Sequence, residues 1–418
     1  MLHSFTGLRA ARSKPGAGIV IACAVVVLAT AGCGFGSHPA ERVSVDLTAL
    51  DTGSFPTAPT PVTATDAAAA GRNAEAIRLG NAMPLPMEVD PALTVNAGGV
   101  HPFADISDVL VKEMNGGRSA FGWLDSAAFT TNPAGFTAGF ATSARTNEDS
   151  TLGYQLTDVV MTFDSDADAA AAATAFGAGG FLDVGMGKDE PARSTAHPSA
   201  SITWEPWSQT LAAFYPTGKY VILTLVDNHE KFYEKLSDLP DLITKSDKAI
   251  DVTADRLKSF QPTPPDQLSA LPLDPQGMLR LTLPRPPGDQ TAHAFAGTLA
   301  AHGALQNAGE PAVDGPMFDQ DGIDAVSYGA GALFRARDAD SAQRFLGDYS
   351  VGKFNHLLDS PAGLPIAKCR KYYGPNARAF PFDCMVAHGR YVAEVWSQQQ
   401  QDVLQRISAQ YAILANDK

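Results

Sequence analysis

The chain has 418 residues, 45% of them hydrophobic, and sets 45 acidic side chains against 31 Lys and Arg, a net charge of −14. That apolar content can fill real cores, and the length points to two or three domains. A surface this acidic repels phosphate backbones and anionic lipid heads, which argues against nucleic acid as a partner and leaves any membrane contact to something other than the protein's own charge.

The first 32 residues read as an export signal. Arg9, Arg12 and Lys14 give a basic start, and Gly16 to Thr30 is an uncharged stretch. A membrane span needs about 20 apolar residues, whereas a signal peptide needs an apolar middle of about 7–15 before a small-residue cleavage site. Thr30-Ala31-Gly32-Cys33 resembles a bacterial lipobox. On this reading Cys33 is lipidated and heads the mature chain. Each buried CH₂ adds about 0.8 kcal/mol and firm anchoring takes more than one chain. The two or three acyl groups typical of such a cysteine would meet that need. The alternative is ordinary cleavage near Ala31 and release. Removing three basic residues leaves 28 against 45 acids, a mature charge of −17.

Residues 33–66, rich in Gly, Ser, Thr and Pro, read as a lipidated tether, with Val45, Leu47 and Leu50 available to pack. Ala67 to Leu79 has a helical composition. Pro84, Pro86 and Pro91 then predict an extended stretch over 84–95.

From about residue 100 the chain repeats itself. Phe163, Asp166, Ala167 and Asp168 align with Phe334 or its neighbour Arg335, Asp338, Ala339 and Asp340, and Gly218-Lys219-Tyr220-Val221 meets Gly389-Arg390-Tyr391-Val392. The two matches share almost one offset, 172 and 171. Phe232, Leu236 and Ile243 fall against Val403, Ile407 and Leu414 at the same spacing. The expected architecture is therefore α+β, two tandem pseudo-equivalent units of antiparallel sheet plus helices. The first unit occupies 67–260 with an N-terminal extension, a Pro-rich linker 261–274, and the second unit 275–418. In each, an aspartate after a strand (Asp166 or Asp168, Asp338 or Asp340) caps a helix. A hairpin turns at Thr217-Gly218 or His388-Gly389, where glycine supplies a positive φ, and a long helix closes the unit. In the last helix Val403, Ile407, Tyr411 and Leu414 form one buried stripe.

Apart from Cys23 in the signal and Cys33, the cysteines are Cys369 and Cys384. An even pair in an exported chain reads as a disulfide, here tying the first hairpin strand to the strand before it. The first unit has Ala213 where the second has Cys384.

No catalytic set stands out. Gly117-Arg118-Ser119-Ala120-Phe121 approaches a nucleophile elbow but lacks its last glycine. No His-Glu-x-x-His occurs, and His229, His356 and His388 read as turn or surface residues. Asp164, Asp166 and Asp168 start like a calcium loop, but Ala169 and Ala175 stand where Gly and Glu are needed, so helix capping explains them better. Asp319, Asp321 and Asp324 offer a weaker acidic turn. The clusters at Gly177–Gly180 and Gly329–Gly331 lack the phosphate-loop spacing. No metal or cofactor is implied. Trp204 and Trp207, sharing one short strand, are ligand-contact candidates; core on one side and edge cover on the other is the plainer reading.

Asp46, Leu47, Leu50, Asp51, Gly53 and Pro56, then Arg78, Pro84, Pro86, Val89, Asp90 and Pro91, resemble the opening of an actinobacterial exported lipoprotein family of unknown function, with members in mycobacteria and nocardia. The lipobox and two-part body fit it. The resemblance implies no activity and no catalytic residues. The half-unit plan is loosely similar to small α/β sandwiches of mycobacterial envelope lipoproteins and kinase sensor domains, an analogy of fold only. The expectation is a cell-envelope lipoprotein on the outer face of the cytoplasmic membrane. It would bind an envelope partner, lipid or glycan without catalysis, touching the membrane through its acyl chains. A secreted hydrolase built around a residue such as Ser119 is the rival.

Overall fold

The computed structural model describes residues 44–110, 124–183, 185–289, 295–348, 354–374 and 378–417. The signal segment, Cys33 and Ser119 lie outside the described residues.

The first unit opens with α1 (Ala67–Ala82), capped by Asp66, and α2 (Pro86–Val89). Strands β1 (Val95–Asn96), β2 (His101–Phe103), β3 (Phe136–Arg145) and β4 (Gln155–Phe163) lead to α3 (Asp166–Gly179). Then come β5 (Glu190–Ala192), β6 (Ser201–Glu205), β7 (Thr210–Thr217), β8 (Tyr220–Asp227), α4 (His229–Glu234) and α5 (Leu239–Leu257). The second unit holds β9 (Gly297–Ala300), α6 (Ala301–Leu305), α7 (Pro311–Asp321), β10 (Ala325–Tyr328), β11 (Ala332–Arg335) and α8 (Ala339–Gly347). It ends with β12 (Asn355–Leu358), β13 (Lys368–Tyr372), β14 (Phe382–His388), β15 (Tyr391–Ser397) and α9 (Gln400–Ala415).

Both sheets are antiparallel and share one strand order. The first runs β1-β3-β4-β8-β7-β6-β5 with β2 also on β3; the second runs β9-β10-β11-β15-β14-β13-β12. The β7–β8 and β14–β15 hairpins match pair for pair, and their turn glycines, Gly218 and Gly389, have φ of 52° and 55°. The tandem α+β reading thus holds at the level of topology. Asp338 caps α8 as expected, whereas Ser165 caps α3 by accepting the Asp168 N–H.

Each sheet is covered on both faces. In the first unit Val159, Met161, Ala212, Phe214 and Leu223 meet Phe129 and Phe176 on the α3 side. Val160, Leu211, Ala213, Ile222 and Val226 meet Leu242, Ala249 and Ile250 of α5 on the other. In the second, Leu333, Cys384, Val386 and Val395 pack against Val403 and Ile407 of α9. Phe334, Met385, Val392 and Trp396 face α7 and α8, where Phe318 and Phe345 close on Phe334.

Three segments depart from the sequence reading. Residues 84–95 contain the short helix α2, because Pro86 sits at its first turn, where a missing N–H costs nothing. The Pro-rich linker is not a free spacer. Residues 265–270 form a 3₁₀ turn on α1, and the Thr263 N–H and hydroxyl donate to the buried Glu75 at 2.8 and 2.7 Å. The tether is docked from residue 44 on. Val45, Leu47 and Leu50 pack on the second unit's core, Phe55 lies over Ala409 and Ile413, and Asn416 donates to the Thr57 carbonyl at 2.8 Å. A strap that precedes the first unit in sequence therefore covers the outer side of α9. That is why α9 is buried from Arg406 through Leu414 rather than along one stripe.

The units meet through α1, which lies against both β3 and β9. Gly80 lets the Phe140 ring approach; a Cβ there would stand 2.3 Å from it. Gln306 of the second unit accepts from Thr142 Oγ1 at 2.6 Å and donates to the Pro84 carbonyl at 2.9 Å, and Asn81 Oδ1 accepts the Ala300 N–H at 2.9 Å. One apolar cluster runs through the junction.

Candidate functional site

Two polar constellations sit in this apolar frame. The first closes one end of the first sheet, where Arg145, Gln155, Asp227, Thr210 and Glu205 follow one another as cross-strand neighbours on five strands. Ser208 Oγ donates to Glu205 at 2.6 Å. His229 Nδ1 stands 3.7 Å from Asp227. Burial pushes the Asp227 carboxyl up to about 7, opposed by a hydrogen bond from Thr210, and burial holds His229 below its ordinary value. Between β6 and β7, Gln209 adopts φ 56°, an uncommon conformation for a residue with a side chain. Its carbonyl accepts the Asn228 N–H and its side-chain oxygen accepts the Asp238 N–H, both at 3.0 Å. The strain is spent on pinning this turn to the entrances of α4 and α5. Ser208 gives its proton to a carboxylate rather than to a histidine, so the cluster has the form of a structural clasp and not of a nucleophile with its base.

The second constellation lies on the α7/α8 face of the second sheet. Arg370, Asp383 and Trp396 are directly opposed on β13, β14 and β15. Arg370 Nε donates to both oxygens of Asp383, at 3.0 and 2.8 Å, and both residues are buried. One row along, Glu394 is opposed by Ala332, and Ala332 by Tyr328. Asp314 of α7 comes within electrostatic reach of Glu394 and Tyr328. It is 3% exposed, and neither of its carboxylate oxygens has a hydrogen-bond partner.

Burial pushes all three carboxyls up: Asp314 to about 7, reinforced by Glu310 and Glu394; Asp383 well above its ordinary value; and Glu394 upward against the pull of Arg370. Burial also lowers Arg370, to about 10. Three carboxylates around one guanidinium leave uncompensated negative charge in a low-dielectric space. Such a set must take up protons or a cation.

The first unit has acids of its own in buried surroundings, Asp158 and Asp227, but not at these positions. At an offset of 171, Asp383 replaces Ala212, Glu394 replaces Leu223 and Trp396 replaces Leu225. The strand registers agree, since Thr203, Ala212 and Leu225 are opposed as Arg370, Asp383 and Trp396 are. At these matched positions one copy is apolar and the other charged.

An open groove of about 430 Å³ lies where the strap meets α9, lined by Phe55, Pro56, Pro284, Pro286, Pro287 and Arg406 among others. The Arg406 guanidinium is occupied: it is paired with Asp289 at 2.7 Å and Asp402 at 2.6 Å, beneath the Phe55 ring.

A family model for the N-terminal domain of DUF7373, a domain of unknown function, matches residues 62–273, and one for its C-terminal domain matches residues 278–417. The chain belongs to the DUF7373 family. No curated protein and no solved structure matches it. In this DUF7373 chain the two matched stretches correspond to the two sheets, and the charged face belongs to the C-terminal one.

The residues singled out from sequence are dispersed. Cys369 and Cys384 are directly opposed on β13 and β14 and joined as a disulfide, on the face away from Arg370 and Asp383. Trp204 and Trp207 do not share a strand. Trp204 is buried in β6, while Trp207 falls in the following turn, against Phe232 and close to Gly187. They form no common wall, because Pro206 ends the strand between them. Asp321 and Asp324 are engaged by Arg344, and by Arg335 and Arg390. Among the described residues no group of three His, Cys, Asp or Glu could hold a metal ion. The charged set was missed because Asp383 and Glu394 alternate with apolar neighbours, as solvent-facing strand residues do. Their signal was in the repeat itself, in acids standing against Ala212 and Leu223.

Proposed function

We propose that this DUF7373 protein is a lipid-anchored, non-enzymatic binding protein of the cell envelope. Cys33 holds it on the outer face of the cytoplasmic membrane, and its second unit carries the ligand chemistry. The observation that carries the binding reading is the divergence of the two copies. A duplicated core has no structural need for buried Asp383, Glu394 and Asp314, since the first unit folds without them. Buried charge of this kind costs stability and concentrates where a site works.

The strap supports the placement. About 12 residues separate Cys33 from Val45, a reach of about 40 Å at full extension. An acylated Cys33 therefore keeps the second unit, the one the strap grips, beside the bilayer. The acidic surface repels anionic headgroups, and the anchor overcomes that repulsion. Mass spectrometry of protein extracted from its own envelope tests the reading. It predicts an acyl mass at Cys33 and a non-covalent ligand. An unacylated chain starting elsewhere would remove the placement, and a chain that carries no ligand would remove the binding role.

A further inference from the structure

We propose that the outer edge of the second sheet, strands β12 and β13, rests on the headgroups of an anionic lipid bilayer. This goes beyond the lipid anchor and rests on it: the acylated Cys33 holds the protein at the membrane, and this edge sets which side faces it.

The edge carries side chains that suit an interface. Leu357, Tyr373 and Phe354 are 67%, 56% and 42% exposed, and among the described residues they are the large hydrophobics that the second unit exposes. Cations stand among them. Lys371 lies over the Tyr373 ring at 4.6 Å, Arg378 lies over the Tyr372 ring at 3.8 Å, and the His356 and Tyr373 rings are 4.7 Å apart. Residues 354–380 hold Lys368, Arg370, Lys371 and Arg378 against one acid, Asp359, in a chain of net charge −14. With Arg370 balanced by Asp383, the span is still positive. At physiological salt, charges are screened beyond about 8 Å, so a bilayer meeting this edge feels the local sign rather than the net one. Most of the surface repels anionic headgroups; this edge is the exception.

The first unit serves as the control. Its outer strands β5 and β6 oppose Glu190 to Trp204 and Pro191 to Thr203, where the second unit opposes His356 to Lys371 and Leu357 to Arg370. An acid and a proline blunt the first edge; a lysine, a histidine and a leucine mark the second. The strap adds direction. Asn416 donates to the Thr57 carbonyl, Gln405 donates to Asp51, and a Cβ on Gly363, in the loop from β12 to β13, would meet Leu50 at 3.3 Å. Followed towards its start, the strap thus passes along α9 to the β12–β13 loop, and the tether to Cys33 departs on that side. Tyrosine rings and snorkelling lysines belong at headgroup depth. β12 ends the described sheet, and hydrocarbon does not tolerate unpaired backbone, so the edge stops at the headgroups. A second copy pairing along β12 would bring like charges together, whereas an anionic bilayer complements them.

The test sediments the full mature chain carrying Cys33→Ser, so that no acyl chain contributes, with vesicles of equal parts phosphatidylglycerol and phosphatidylcholine and with vesicles of phosphatidylcholine alone. The expected result is binding to the mixed vesicles that high salt weakens, and binding to phosphatidylcholine alone that is weaker by about tenfold or more. Leu357→Ser and Lys371→Gln should each cut binding by about fivefold or more with the Tm unchanged, and Lys188→Gln, on the first unit, should leave it as it is. No binding to the mixed vesicles, equal binding to both kinds, or undiminished binding in both edge variants overturns the proposal. A chain that ignores vesicles but forms a dimer that Leu357→Ser disperses makes the edge a self-pairing surface, and the bilayer contact falls. The acyl mass on native protein is read separately: its absence removes the anchor and this contact with it, and its presence without vesicle binding removes this contact alone.

Discussion

Asp383 occupies in the second unit the place of Ala212 in the first. Each lies six residues before the hairpin glycine and is opposed by the residue seven after it, Trp396 or Leu225. The two copies thus act as internal controls for each other. What the first tolerates as alanine, the second carries as a buried ion.

The Arg370–Asp383 pair gives the sharpest stability prediction. Removing one partner of a buried pair leaves an uncompensated charge and costs about 3–5 kcal/mol. Arg370→Thr should cost about that much. Arg370→Thr with Asp383→Ala restores the first unit's residues at both positions and should recover most of the loss. Urea unfolding of the single and double variants reads this. A double variant no more stable than the single would show that the pair is not the unit of energetics.

The disulfide closes a separation of 15 residues, for which chain entropy gives about 3 kcal/mol. Replacing both cysteines with alanine should lower stability by about that amount without changing the fold, since the first unit carries Ala213 on the same face. Circular dichroism with thermal unfolding checks both points, and an unchanged Tm would contradict the expectation.

Two glycines should respond in opposite directions to alanine. In α1, a Cβ at Gly71 would stand 2.0 Å from the Leu268 carbonyl oxygen, which is backbone and cannot yield cheaply. Gly71→Ala gains about 1 kcal/mol of helix propensity but displaces the docked linker, at about 1–3 kcal/mol or more, so a net loss is expected. At Gly347, in α8, a Cβ meets nothing within 4 Å, and alanine should be neutral or stabilising. Urea midpoints of the two variants decide; a stabilised Gly71→Ala would mean the linker is not packed as described.

Stability should fall as pH rises from about 4 to about 7. Burial raises Asp158 and Asp314 to about 7 in the folded protein, against about 3.9 for an unfolded aspartate. A raised carboxyl favours the folded state fully below the unfolded value, and that contribution is lost as pH climbs towards 7. Asp314→Asn, neutral at every pH, should flatten the profile between pH 4 and 7. A wild-type profile that rises across that window would be the opposite sign and would refute the assignment.

Much of the architecture was legible because it is written locally. The hairpin glycines must take positive φ, Asp338 caps the helix it precedes, and the spacing between repeats survives divergence. The strap was not legible. Val45, Leu47, Leu50 and Phe55 show that something can pack, but their partners, Leu283, Ala409 and Ile413 among them, lie more than 200 residues away. Trp204 and Trp207 look like neighbours on one strand, but the strand ends at Glu205, directly before Pro206. The charged face escaped because alternation around Asp383 and Glu394 is the pattern of a half-exposed strand. Whether a sheet face meets water depends on helices that the strand sequence does not name.

The most direct measurement compares wild-type protein and Asp314→Asn, each extracted from its own envelope and examined intact by native mass spectrometry. The account predicts a small non-covalent mass on the wild type that the variant lacks, on chains that share one acylated N-terminus. The same bound mass on both proteins, or none on either, would contradict it.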